Sequence, residues 1–342
     1  MNPKITLQPT FDYKILMNAL GQKSPDMQLI MTNSARSSLY LSLQSLLNAN
    51  KKINRILLPD LICSEIIPLI IQYNLNIIFY SIDENLNPDI NFIEDNIKNK
   101  SSIILVVNYF GKPSDWNSIL DLKKHHDCTI IEDNAHSLFG SYKNINYGDL
   151  GDISFNSLRK VMPVLSGSIL KFNNECNLTK TLEKRLLSFS EFKYSLRGMK
   201  LYSSKKIIKK NINSNKTIYD KTLSIDYLSK KIYTYQYNEK HKICLQRKMN
   251  YQFWKNYLKN SELDLIDISS SICPYAMPCI YNDNESYDRW LTWGIKNNIN
   301  IIKWPLLPVL DSYRLKNKAL ANILLFPVNH MHDLASMDLS DA

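Results

Sequence analysis

Through the first half of the chain, short aliphatic runs alternate with segments whose apolar residues recur every three or four positions. Leu39, Leu43, Leu46 and Leu47 share one helical face, which predicts a helix over 37–47, with small polar residues ahead of it able to cap it. The pattern continues with a strand over 55–58 stopped by Pro59, a helix over 65–73, a strand over 77–82 and a helix over 90–97. A buried strand over 102–108 ends before Gly111 and Pro113, a helix covers 116–127, and a strand over 128–132 delivers Asp133 to its carboxyl end. This alternation predicts a mostly parallel sheet covered by helices. In such sheets ligands sit outside the carboxyl ends of the strands, which makes Asp133 the first candidate site residue. Its competing reading is a cap for a following helix.

Beyond Gly140, residues 153–155 and 169–170 read as two strands whose connection projects Lys160. Residues 188–240 are poorly periodic and rich in Tyr and Lys, and 211–216 is polar enough to be a loop. A helix over 242–258 leads into a smaller lobe with a helix over 287–298 and a last strand over 323–328. A chain of 342 residues suits two packed lobes, divided as 1–240 and 241–342.

Composition narrows the function classes. Hydrophobic residues at 44% and charged residues at 22% are ordinary for a globular enzyme. The apolar runs fall far short of the ~20 residues a membrane helix needs, and no apolar leader with a cleavage site is legible, so a cytoplasmic protein without a membrane span is expected. Six cysteines lie scattered without metal-site spacing and read as reduced thiols; no metal is expected. The net charge of +10 raises nucleic-acid binding, yet Lys is spread along the chain, and the one dense stretch, 193–221, reads as a solvated face or loop. No nucleic-acid partner is expected, whereas an anionic small molecule suits the charge. His330 and His332 read as surface histidines, His125 and His126 as complements to a helix dipole, and the tyrosines of 227–237 as packing or a dimer contact.

The chemistry rests on an ordered set of segments. Small polar residues open a helix at Ser34-Ala35-Arg36-Ser37-Ser38; Asn108-Tyr109-Phe110-Gly111 ends one central strand; Glu132-Asp133-Asn134-Ala135-His136 ends the next; and Lys160 follows. At these residues the sequence resembles the DegT/DnrJ/EryC1/StrS sugar aminotransferases. That family's S-G-T-A-A-L is similar to Ser34 through Leu39, its V-P-S-F-T-F to Leu58 through Cys63, its H-L-Y-G-Q-P to Asn108 through Pro113, and its I-E-D-A-A-Q to Ile131 through His136. The resemblance spans roughly Thr32 to Lys171 and returns weakly around Trp304-Pro305 and Leu325-Phe326-Pro327.

It implies the pyridoxal-phosphate-dependent transferase fold of type I: a large, mostly parallel sheet sandwiched by helices, plus a smaller C-terminal α/β domain. It further implies a homodimer with shared active sites that moves an amino group from an amino acid, glutamate by expectation, to a nucleotide-linked keto-sugar for polysaccharide or glycan synthesis. The cofactor is pyridoxal 5'-phosphate, with pyridoxamine 5'-phosphate as its alternate form. Asp133 would face the pyridine nitrogen, Lys160 would hold the cofactor as a Schiff base and move the substrate proton, and backbone N–H groups at Ala35 and Arg36 would take the phosphate with a hydroxyl from Ser154 or Ser157. His136 stands where the family has Gln, Cys63 where it usually has a stacking aromatic, and Ala35-Arg36 where it has Gly-Thr. Ungapped alignment puts Arg159 on the family's lysine, but a guanidinium stays protonated, so Lys160 is the expected residue. Two alternatives follow from the same departures: a sugar dehydratase of this fold, in which a histidine can replace the lysine, and a non-catalytic relative acting in binding or assembly.

Overall fold

A computed structural model describes residues 5–21, 29–173 and 223–339. Two sheets organise them. In the larger, β1 (Ile30–Thr32), β2 (Arg55–Pro59), β3 (Asn76–Tyr80), β4 (Ser102–Val107), β5 (Cys128–Asn134), β8 (Ile153–Asn156) and β9 (Ser168–Phe172) lie in the order β1-β9-β8-β5-β4-β2-β3. The minor hairpin strands β6 (Ser141–Tyr142) and β7 (Ile145–Asn146) pair only with each other. β3, β2, β4, β5 and β8 are mutually parallel; β9 runs against them, and β1, antiparallel to β9, returns to their direction. Every side chain of β4 is buried, as a strand covered on both faces requires.

Helices α1 (Tyr13–Leu20), α2 (Ala35–Ala49), α3 (Ile67–Ile71), α4 (Ile90–Ile97) and α5 (Trp116–His125) accompany this sheet. Leu39, Leu43 and Leu46 of α2 are buried at the spacing read from the sequence, and Ser34 caps the helix by accepting from the Ser37 N–H at 3.2 Å. The tyrosine-rich stretch corrects the sequence reading: residues judged poorly periodic form α6 (Tyr227–Asn238), capped by Asp226, with Ile232 and Tyr233 buried. The basic stretch 193–221, the polar loop 211–216 and Cys176 lie outside the described residues.

The second sheet is antiparallel throughout, β10 (Asp264–Leu265), β11 (Ala276–Ile280), β12 (Ile302–Trp304) and β13 (Ile323–Pro327) lying in the order β10-β11-β13-β12. The long helix α7 (Lys240–Tyr257) and α8 (Asn284–Lys296) accompany it, and Trp254 and Trp290 both pack on Phe326. The start of the chain docks beside this part: Ile5 bridges Ile299 in parallel, with the Asn300 N–H donating to Ile5 O at 2.8 Å.

The parallel strands place their carboxyl ends along one edge, where Asp60, Asn108, Asp133 and Ser157 emerge. Segment 271–275, on the way to β11, closes against that edge at Gly111, whose φ is +96°. A Cβ there would fall on Ser271 Oγ and 2.7 Å from the Cys273 carbonyl oxygen. Gly111→Ala is expected to cost about 2–4 kcal/mol, since neither the left-handed backbone nor the facing carbonyl can give way cheaply; urea unfolding at neutral pH measures it.

Candidate active site

The site begins with a buried anion that does not face it. Glu132, wholly buried in β5, accepts from the Gly148, Leu150 and Gly151 N–H groups at 2.9, 3.2 and 3.2 Å and from the Asn108 and Asn134 amides at 3.3 and 2.8 Å. Strand side chains alternate faces, so fixing Glu132 on one side directs Asp133 to the other. No helix follows Asp133; its Oδ1 accepts from the Ala135 N–H at 2.8 Å, so from the end of β5 it caps a turn rather than a helix. Burial pushes its carboxyl up to about 6, opposed by that N–H and by the Lys160 ammonium.

Lys160 lies in a short 3-10 turn (Leu158–Lys160) between β8 and β9. Leu158 N–H donates to Gly167 O at 3.0 Å, and the Leu165 and Ser166 N–H groups donate to Ser229 Oγ at 3.0 and 3.1 Å, which ties the connection to α6. Arg159 is exposed, whereas Lys160 is half-buried, within electrostatic reach of Asp133 and Cys63. Desolvation holds its amine below the ordinary lysine value, and Asp133 opposes that shift. Of the two neighbouring cations, only Lys160 carries an amine that can turn neutral, and it is the one turned inward.

The start of α2 reaches the same place. Ala35 and Arg36 are its first residues, where helix geometry turns backbone N–H groups outward and favours an anion. Arg36 pairs with Glu65 at 3.5 Å, and the charges of Glu65, Lys160 and Arg36 all act on the half-buried Cys63 thiol. Ser157, buried just past β8, follows Phe155 at the two-residue period; Phe155 neighbours Asp133 across the ladder and shares its face. Ser154 does not join this group: it neighbours Glu132, on the opposite face, and its hydroxyl donates to Gly148 O at 3.0 Å.

His136 is held between two parallel rings, Phe110 at 5.3 Å and Tyr275 at 4.5 Å, with Trp304 edge-on at 5.2 Å. Burial keeps its imidazole neutral, and its buried Nδ1 has no hydrogen-bond partner. Tyr275 also carries the Lys160 Nζ over its ring at 5.5 Å from the centroid. A carboxylate, a depressed amine, a helix N-terminus, a buried hydroxyl at Ser157 and an orphaned imidazole nitrogen together fit the donors and acceptors of pyridoxal phosphate. Among the described residues no cluster of His, Cys, Asp and Glu could hold a metal, and no helix is long and apolar enough to cross a membrane.

Several of these residues escaped the sequence reading. Phe110 and Glu132 stood inside segments already singled out, but nothing local assigned them contacts. Tyr275 comes from a distant segment with no chemical motif around it, and so does the wholly buried Arg247, whose Nη2 donates to Lys160 O at 3.2 Å. The histidines near the end of the chain also correct that reading: neither His330 nor His332 is exposed, and burial brings the His330 imidazole down to about 3.

A family model described as the DegT/DnrJ/EryC1/StrS aminotransferase family matches residues 18–216. GDP-perosamine synthase of Escherichia coli O157:H7 is 32% identical over 109 residues, which cover 31% of this chain and 29% of that protein. The chain thus spans less than half the length of the curated relatives it matches. Among solved structures, E. coli GDP-4-keto-6-deoxy-D-mannose-3-dehydratase with bound hydrated pyridoxal phosphate superposes with a TM-score of 0.69 at 17% identity, covering 96% of each chain. Helicobacter pylori PseC, an aminotransferase of pseudaminic acid biosynthesis, superposes with a TM-score of 0.67 at 16% identity, covering 98% of this chain and 96% of the other. At these identities the superpositions establish a shared fold.

The Asp133 carboxyl gives this site a pH signature. Free of cofactor, Asp133 binds its proton more tightly in the folded protein than its ordinary value of 3.8 would allow. Its contribution to stability is therefore complete below that value and lost as pH rises through about 6. Asp133→Asn is expected to stabilise the cofactor-free protein by about 2–3 kcal/mol near pH 8 and to change little near pH 4, as urea unfolding at the two pH values would show.

Proposed function

The chain belongs to the DegT/DnrJ/EryC1/StrS aminotransferase family, and from that membership we propose that it is a pyridoxal-phosphate-dependent aminotransferase acting on a nucleotide-linked keto-sugar, with an amino acid, glutamate in this reading, as donor. The observation that carries the reading is the inward-turned amine of Lys160, over the Tyr275 ring at 5.5 Å from its centroid and within electrostatic reach of the buried Asp133. A cytoplasmic homodimer with shared sites, and a division into lobes near residue 240, complete the proposal.

When bound, the cofactor supplies an electron sink for the carbanion formed at the amino-bearing carbon of the substrate. The chain's own residues do the rest. Asp133, whose buried charge lacks water, holds a proton at the pyridine nitrogen and so keeps that sink strong. Lys160 would hold the cofactor at rest, and its amine, made more readily neutral by burial, would then move the proton at the substrate carbon. The first N–H groups of α2, at Ala35 and Arg36, bind the phosphate, and the Ser157 hydroxyl lies on the Asp133 side to assist. His136 is immobilised by its ring stack and offers a neutral Nδ1 to the phenolic oxygen. Cys63 takes the place of a stacking ring with less contact area.

A dehydratase reading draws on similarity to GDP-4-keto-6-deoxy-D-mannose 3-dehydratase of Yersinia pseudotuberculosis, 38% identical over 68 residues that cover 20% of this chain and 17% of that protein. The Lys160 amine weighs against it, and product analysis separates the two: loss of water without amino transfer would select the dehydratase.

Incubation with pyridoxal phosphate is expected to give an absorbance that borohydride fixes on Lys160, with trapping that strengthens as pH rises through a midpoint below the ordinary lysine value of 10.5. Lys160→Ala should abolish trapping and lower transamination by about a thousandfold or more. A wild-type protein that stays colourless with cofactor would sink the proposal.

A further inference from the structure

Arg247 of α7 is wholly buried, yet among the described residues no carboxylate pairs with it. Its guanidinium spends its donors on main-chain carbonyls instead. Nη1 donates to Pro274 O at 3.1 Å and to Tyr275 O at 3.4 Å, and Nη2 donates to Lys160 O at 3.2 Å. Nε is buried without a partner. Desolvating a cation with only neutral acceptors is unfavourable, so a charge kept in this place is poorly explained by stability alone.

What the fork joins is informative. One arm fixes the backbone of the residue whose amine lies within electrostatic reach of Asp133; the other fixes the backbone of Tyr275, whose ring lies under that amine and stacks on His136 at 4.5 Å. Three segments remote in sequence, the turn after β8, the approach to β11 and α7, are thereby held in one register. A planar fork with fixed donor directions spans carbonyls on both segments; an ammonium, a compact charge with rotatable donors on a flexible stem, lacks that fixed spread.

We infer that Arg247 is a positioning residue for the Lys160 amine, clamping the carbonyls of Lys160 and Tyr275 so that the amine, the Tyr275 ring and His136 keep one fixed arrangement. The inference rests on the reading of Lys160 as the cofactor-bearing residue, and two readouts keep the two apart. The first is borohydride trapping of pyridoxal phosphate on Lys160. The second needs no cofactor: the pH dependence of Lys160 acetylation by an N-hydroxysuccinimide ester, followed by peptide mass spectrometry.

In R247K and R247Q, melting temperature reports folding. With either variant folded at the assay temperature, trapping on Lys160 should fall by at least about tenfold, because a misplaced amine loses its near-attack geometry. The acetylation midpoint should move toward the ordinary lysine value as the amine gains water. Wild-type trapping and an unmoved acetylation midpoint in a folded variant would overturn the inference. So would unfolding of both variants, since the guanidinium would then hold the fold rather than the amine. If wild-type protein traps no cofactor, the functional proposal fails while the acetylation profile still decides the role of Arg247.

Discussion

The Glu132 carboxylate, buried and saturated by N–H donors, is the constraint on which the site depends. It draws the 148–151 turn under β5 and binds the amides of Asn108 and Asn134, so the carboxyl ends of β4 and β5 and the entry to β8 are tied to one group. Asn108 passes the restraint on, accepting from the Ser114 N–H at 3.0 Å and the Trp116 indole at 2.9 Å. Because strand side chains alternate, satisfying Glu132 on one face also aims Asp133 at the other. A register slip of one residue would bury Asp133 among these donors and turn Glu132 into the site.

Opposite that carboxylate the site brings together a buried acid and a half-buried amine. Burial acts against both Asp133 and Lys160, lifting the carboxyl to about 6 and depressing the amine, while each resists the other's shift. Two groups poised in this way exchange protons at lower cost than their exposed counterparts. The surrounding rings add geometry rather than charge: Phe110, His136 and Tyr275 form a parallel stack with Trp304 at its edge, which leaves the imidazole little freedom to rotate. Arg247 fixes the backbone on both sides of this arrangement.

The parallel strands from β2 to β5 were legible in the chain because covered strands require continuous apolar runs and their connecting helices require a spacing of three and four; both are local properties of sequence. The position of Asp133 at a strand end followed from the same pattern. The division of labour among neighbours was less legible. Ser154 and Ser157 looked equivalent by residue type, and only the ladder with Glu132 and Asp133 assigns them to opposite faces. His330 read as exposed because nothing in its local pattern signals the burial that holds its imidazole near 3.

The sequence by itself thus determined the layered α/β class, the strand-end carboxylate and the inclusion of Lys160 among the site candidates, since each depends on periodicity or on the chemistry of a residue type. Tertiary structure alone decided that Lys160 turns inward while Arg159 turns to solvent, that His136 lies between two rings, and that Arg247 grips the backbone of Lys160 and Tyr275. These facts depend on contacts between segments separated by tens to hundreds of residues. Such contacts leave no period in the chain, because the geometry that creates them exists only after the sheets have formed and closed on one another.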